Sequence, residues 1–128
     1  KKILSIAPEV YAYTVRVPVM FGHLETVWLD FEEDVEVEDV IKAWADFKEV
    51  QELPSAPKQF LNYFEEDNRP QAKLDRNLEG GMAVSIGRLR EDTQYDYKFV
   101  CLSHNTLRGA AGGAVLLAEL LAAKGYFD

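Results

Sequence analysis

The sequence predicts one domain of mixed class, strands and helices around a single core. Three observations carry that expectation. Several stretches alternate apolar and polar residues with period two, one central stretch repeats apolar residues at helical spacing, and Thr106 to Lys124 reads as a long helix rich in alanine and leucine. The length of 128 residues and a hydrophobic share of 48%, with no low-complexity tract, suit one packed domain and exclude a disordered, fibrous or disulfide-stapled chain.

From Val10 to Val17, Tyr11, Tyr13, Val15 and Val17 alternate with Ala12, Thr14 and Arg16, a strand pattern rich in aromatic and β-branched side chains. Pro18 and Gly22 punctuate a connection, and Leu24 to Phe31 alternates again as a second strand. Val37, Val40, Ile41, Trp44 and Phe47 then recur at i, i+3, i+4, i+7 and i+10, which predicts an amphipathic helix. Gln59 to Phe64 reads as a short strand between irregular connections at 53–58 and 67–81. Met82 to Arg90 and Tyr95 to Leu102 are two further strands, joined as a hairpin by Glu91-Asp92-Thr93-Gln94. Asn105 is placed to cap a helix over Thr106 to Lys124, stopped by Gly125.

That last helix is apolar around nearly its whole circumference, from Leu107 through Ala123, so it expects contacts on more than one side. Gly109, Gly112 and Gly113 each cost about 1 kcal/mol relative to Ala inside a helix, and close approach of another backbone is the compensation to look for.

Twenty-two acids against fourteen bases give a formal net charge of −8. Residues 30–52 hold ten of those acids and two of the bases, so the excess resides in the predicted central helix and its approach, as a solvated face. An acidic chain gains nothing from neutralising phosphates, which places nucleic acid and anionic membranes last among partners. No apolar stretch is long enough to span a bilayer and no secretory pattern opens the chain. The single cysteine, Cys101, cannot form an internal disulfide, and with two histidines there is no zinc cluster and no metal site is expected; a reducing cytoplasm fits this usage. The chain opens on Lys1 rather than Met, as a sequence that begins inside a longer protein would.

Few residues can carry chemistry. His23 follows Gly22 in a connection between strands, and Arg16 lies seven residues earlier; imidazole serves as general acid/base, and a guanidinium fork suits a carboxylate or phosphate, although a loop histidine and a surface arginine fit the spacing too. Cys101 and His104 are three apart on a strand and point to opposite faces, so a nucleophile–base dyad is not expected; Cys101 reads as a small buried side chain and His104 as a partner for the helix start. Gly109-Ala110-Ala111-Gly112-Gly113 lies inside the helix and matches no nucleotide-binding loop.

Taken in order, Val15-Arg16-Val17-Pro18-Val19 with Gly22-His23, Ser55-Ala56-Pro57-Lys58-Gln59, Arg69-Pro70-Gln71 with Leu74-Asp75-Arg76-Asn77, Val84-Ser85-Ile86-Gly87-Arg88-Leu89-Arg90, and Leu102-Ser103-His104-Asn105-Thr106 with Arg108-Gly109-Ala110-Ala111-Gly112 resemble the C-terminal portion of aspartate-semialdehyde dehydrogenase, in its archaeal and fungal-like branch. The resemblance covers essentially the whole chain. It implies a truncated α+β domain like the C-terminal domain of glyceraldehyde-3-phosphate dehydrogenase, a mostly antiparallel sheet with helices on one face. Residues 1–128 would be the C-terminal part of a substrate-binding and dimerisation domain, its final helix, about 105–124, packing on an N-terminal Rossmann domain absent from this chain.

The resemblance further implies an NADPH-dependent reductive dephosphorylation of L-4-aspartyl phosphate to L-aspartate 4-semialdehyde, a step toward lysine, threonine and methionine, in a homodimer or homotetramer. Family roles map onto His23 as the catalytic acid/base, Arg16 as the grip on the substrate carboxylate and Asn105 beside the nicotinamide of NADP. The family's catalytic cysteine and glycine-rich nucleotide loop find no match here, so the 128 residues alone are expected to be inactive. A malonyl- or succinyl-CoA reductase fragment and a noncatalytic dimerisation module are the alternatives.

Overall fold

The computed structural model describes residues 8–48 and 52–127, which leaves Glu49 of the acidic run outside. Four strands form one sheet: β1 (His23–Leu29), β2 (Leu61–Phe64), β3 (Val84–Glu91) and β4 (Tyr97–Ser103), in the spatial order β1-β4-β3-β2. β1 and β3 each pair antiparallel with β4, and β2 lies parallel to β3 on the edge, so the sheet is mostly antiparallel as expected. The α-helices are α1 (Val37–Asp46), a one-turn α2 (Ala72–Asp75) and α3 (Gly112–Ala123), the last preceded by a π-helical turn at Leu107–Ala111.

Register assigns the two faces. His23, Glu25, Val27 and Leu29 of β1 stand opposite Ser103, Cys101, Phe99 and Tyr97 of β4, with Ile86 of β3 opposite Cys101 and Tyr63 of β2 opposite Ile86. These alternate residues share one face. The apolar stripe of α1 packs there: the Trp44 ring lies 5.1 Å from Phe99 and 5.8 Å from Tyr63, and Val40 is buried. Glu38 and Asp39 occupy the first turn of α1, where the helix dipole favours negative charge, and Lys42 pairs with Asp46 one turn on. Of the acidic run only Glu38, Asp39 and Asp46 lie in α1; the other described acids stand exposed before and after it, so the run belongs more to the approach than to the helix face, because the helix spans only ten residues.

The opposite face carries Leu24, Thr26 and Trp28 of β1, with Leu102, Gly87 and Phe64 beneath the excursion between β2 and β3. Arg69 lies over the Phe64 ring at 4.5 Å, and a Cβ on Gly87 would meet the Arg69 carbonyl oxygen at 2.5 Å. Only glycine admits this approach. Beyond Gly87 the β3–β4 register shifts before resuming at Arg90, with Arg88 at φ +60°, the mark of a bulge. Toward the end of β1, Trp28 remains 52% exposed on this face.

Two local expectations are corrected. Residues 10–17 form no strand; they run without regular pairing, with Tyr11 and Tyr13 91% and 94% exposed. A period-two pattern makes a segment fit for a sheet, but a strand exists only when a neighbour takes its backbone hydrogen bonds, and no described residue does so here. Nor does the Asn105 side chain cap the last helix. His104, immediately before it, accepts the N–H groups of Thr106 at 3.3 Å and Leu107 at 3.2 Å through Nδ1, while Gly109 and Ala111 donate five residues back to His104 and Thr106 carbonyls. The helix therefore opens as a π turn. At its other end Gly125, at φ +73°, closes it as predicted.

Candidate active site

His23 is the first residue of β1, and Gly22 before it adopts φ +112°, the conformation that turns the chain into the strand. A Cβ on Gly22 would stand 3.1 Å from Ala72 Cβ and 3.3 Å from Leu102 Cδ1. The Gly22 N–H donates to Asn105 Oδ1 at 3.0 Å, across 83 residues of sequence. The bond ties the residue before His23 to Asn105, and His23 and Asn105 both line one cleft, with Glu25, Val84, Cys101, Ser103 and Gly109.

His23 Nε2 lies 3.5 Å from Glu25 Oε1, both side chains standing on the same face of β1. Glu25 escapes notice in the linear sequence, yet the period of two that marks β1 places it beside His23. Cys101 lies opposite Glu25 in register, and burial first, with the Glu25 charge second, pushes its thiol up to about 11. At neutral pH it stays a thiol and a poor nucleophile, although it is half-buried and lines the cleft rather than fully buried as its apolar neighbours in sequence suggest. His104 is buried and spends Nδ1 on the helix start, so it makes no dyad with Cys101. Among the described residues no three of His, Cys, Asp and Glu converge as a metal site would require.

Of the residues singled out from the sequence, His23 and Asn105 meet in the cleft and Arg16 does not. It is exposed on the unpaired segment at 8–22 and is absent from the lining.

A family model described as the semialdehyde dehydrogenase dimerisation domain matches residues 1–108. The chain belongs to this family. The aspartate-semialdehyde dehydrogenase of Archaeoglobus fulgidus is 42% identical over 121 residues, 94% of this chain and 35% of that protein. An enzyme named malonyl CoA reductase (NADP), from Metallosphaera sedula, is 43% identical over 122 residues, 91% of this chain and 34% of its own length. The crystal structure of aspartate semialdehyde dehydrogenase with NADP from Candida albicans superposes at a TM-score of 0.76 with 43% identity, covering 86% of this chain and 32% of that one. The chain spans about a third of the length of the relatives it matches. The α+β class and the semialdehyde dehydrogenase resemblance both stand, and no helix among the described residues is long and apolar enough to cross a membrane.

Proposed function

We propose that this chain is the C-terminal, substrate-binding and dimerisation part of an NADPH-dependent aspartate-semialdehyde dehydrogenase. The enzyme converts L-4-aspartyl phosphate to L-aspartate 4-semialdehyde and phosphate in the cytoplasm, on the route to lysine, threonine and methionine, as a homodimer or homotetramer. One observation carries the reading: His23 and Asn105, 82 positions apart, face one cleft in a chain 42% identical to a dehydrogenase of this name.

In this reading His23 is the acid/base, holding and releasing a proton at the oxygen of the acyl carbon as a cysteine outside this chain is acylated and freed. NADPH, when bound, supplies the hydride. Asn105 fits a place beside it, because Oδ1 is already engaged by Gly22 and the side-chain N–H groups remain to donate into the cleft. Arg16, once its segment is paired, grips the substrate carboxylate with a bidentate fork. His23→Ala then lowers kcat by about 10²- to 10⁴-fold. Arg16→Lys chiefly raises KM, because an ammonium cannot reproduce the fork. Steady-state kinetics of the full-length enzyme checks both, and wild-type constants in either variant remove that residue from the site.

The 43% identity to the malonyl CoA reductase supports a second reading, in which the acyl donor is a CoA thioester. Assaying the full-length protein with aspartyl phosphate and with malonyl-CoA separates the two. NADPH oxidation with aspartyl phosphate is expected, and oxidation with the thioester alone overturns the first reading.

A further inference from the structure

His23 is placed by more than the strand it opens. Phe21, two residues earlier, lies stacked on the His104 ring, with centroids 5.5 Å apart and planes at 23°. Gly22, the residue between, is fixed through its N–H by Asn105. Both anchors therefore come from the single turn that links β4 to the last helix. That turn is itself tied down: His104 is buried, Nδ1 accepts two backbone N–H groups, and Ser103 beside it pairs in register with His23. An open cleft leaves an imidazole at the mouth of a strand free to swing unless the backbone before it is held.

We infer that Phe21 is a positioning residue for the acid/base His23, which it holds in the cleft by stacking on the buried His104 ring. The inference rests on the acid/base reading of His23. Phe21 is absent from the residues that line the cleft. Its loss moves the proton donor without removing a binding contact. The signature is a fall in kcat with KM preserved, and because a displacement of about 1 Å can cost about a hundredfold, a smaller shift of a strand end gives about tenfold.

The test compares Phe21→Ala, Phe21→Leu, Phe21→Tyr and His23→Ala in the full-length enzyme, with kcat and both KM values read beside the melting temperature. Phe21→Ala is expected to lose about tenfold in kcat with both KM values within about twofold, and Phe21→Tyr, which keeps the flat ring, to recover the wild-type rate. Phe21→Leu keeps apolar bulk without the ring and carries the test if the alanine variant fails to fold; it too loses about tenfold. Wild-type kcat in the alanine or leucine variant, beside a large loss in His23→Ala, overturns the positioning role and leaves the acid/base reading intact. So does a tyrosine variant as slow as the alanine one. Wild-type kcat in His23→Ala overturns both, since no proton donor remains to be positioned.

Discussion

Asp75 holds the excursion between β2 and β3 together. It is 4% exposed, its Oδ2 accepts the Arg69 Nε–H at 2.8 Å and the Gln71 N–H at 2.7 Å, and its Oδ1 pairs with Arg69 Nη2. Burial pushes this carboxyl up, but the hydrogen bonds from Arg69 and Gln71 and the Arg69 charge outweigh it and hold Asp75 below its ordinary value of 3.8. A carboxyl depressed by folding contributes stability above its unfolded value and loses it as pH falls through the folded one. Chemical denaturation of the chain is therefore expected to show stability declining below about pH 4, with Asp75→Asn less stable at pH 7 and its decline shallower. Removing one partner of a buried pair costs about 3 kcal/mol, so an Asp75→Ala variant as stable as wild type at neutral pH refutes the anchor. In the sequence Asp75 sits within Leu74-Asp75-Arg76-Asn77, which reads as an irregular connection; only folding brings Arg69 and Gln71 onto its two oxygens.

Among the elements, α3 is the most exposed for its composition. None of its residues is buried, and Leu117 is 55% exposed. Among the described residues its side chains make a polar tie through Glu119, whose two carboxylate oxygens accept Ser55 N–H at 2.9 Å and Ser55 O–H at 2.6 Å. A helix apolar all round is built to be enclosed. The proposed enclosure is the cofactor domain of the full-length enzyme, and it yields a paired expectation. Leu117→Glu leaves the melting temperature of the 128-residue chain within about 2 °C and lowers that of the full-length enzyme by more than about 4 °C, as expected where an apolar contact is lost. Equal shifts in the two forms would place the Leu117 contact within the chain and sink the packing proposal. The segment at 10–17 is comparable, since its alternation was legible in the sequence and no described residue pairs with it as a strand.

For the whole molecule, the sheet face away from α1 keeps exposed apolar side chains. The excess acid belongs to α1 and its approach over one face of the sheet, while Leu24 and Trp28 stand exposed on the other. Exposed aromatic and aliphatic groups on a sheet face, within a family described by dimerisation, mark that face as the proposed seam between two copies. Sedimentation of the chain is expected to show a dimer, and Trp28→Lys to weaken it by at least about tenfold, the loss for a truncated hot spot of more than about 1.4 kcal/mol. An unchanged dimer in Trp28→Lys moves the seam elsewhere.

What the sequence determined by itself is whatever depends on neighbours along the chain. Period two marked β1, β3 and β4, period 3.6 marked α1, and Gly125 marked the end of α3, because each pattern reports which side of a local element leaves water. The ordered motifs also carried the family, since they name residues without needing their positions in space. Tertiary structure decided the rest. It set the strand order, put β2 parallel on the edge, and turned Asn105 across 83 residues onto Gly22. The reason is one of range: a hydrogen bond or ring contact between distant segments depends on where the sheet places them, and no periodicity within either segment records its partner.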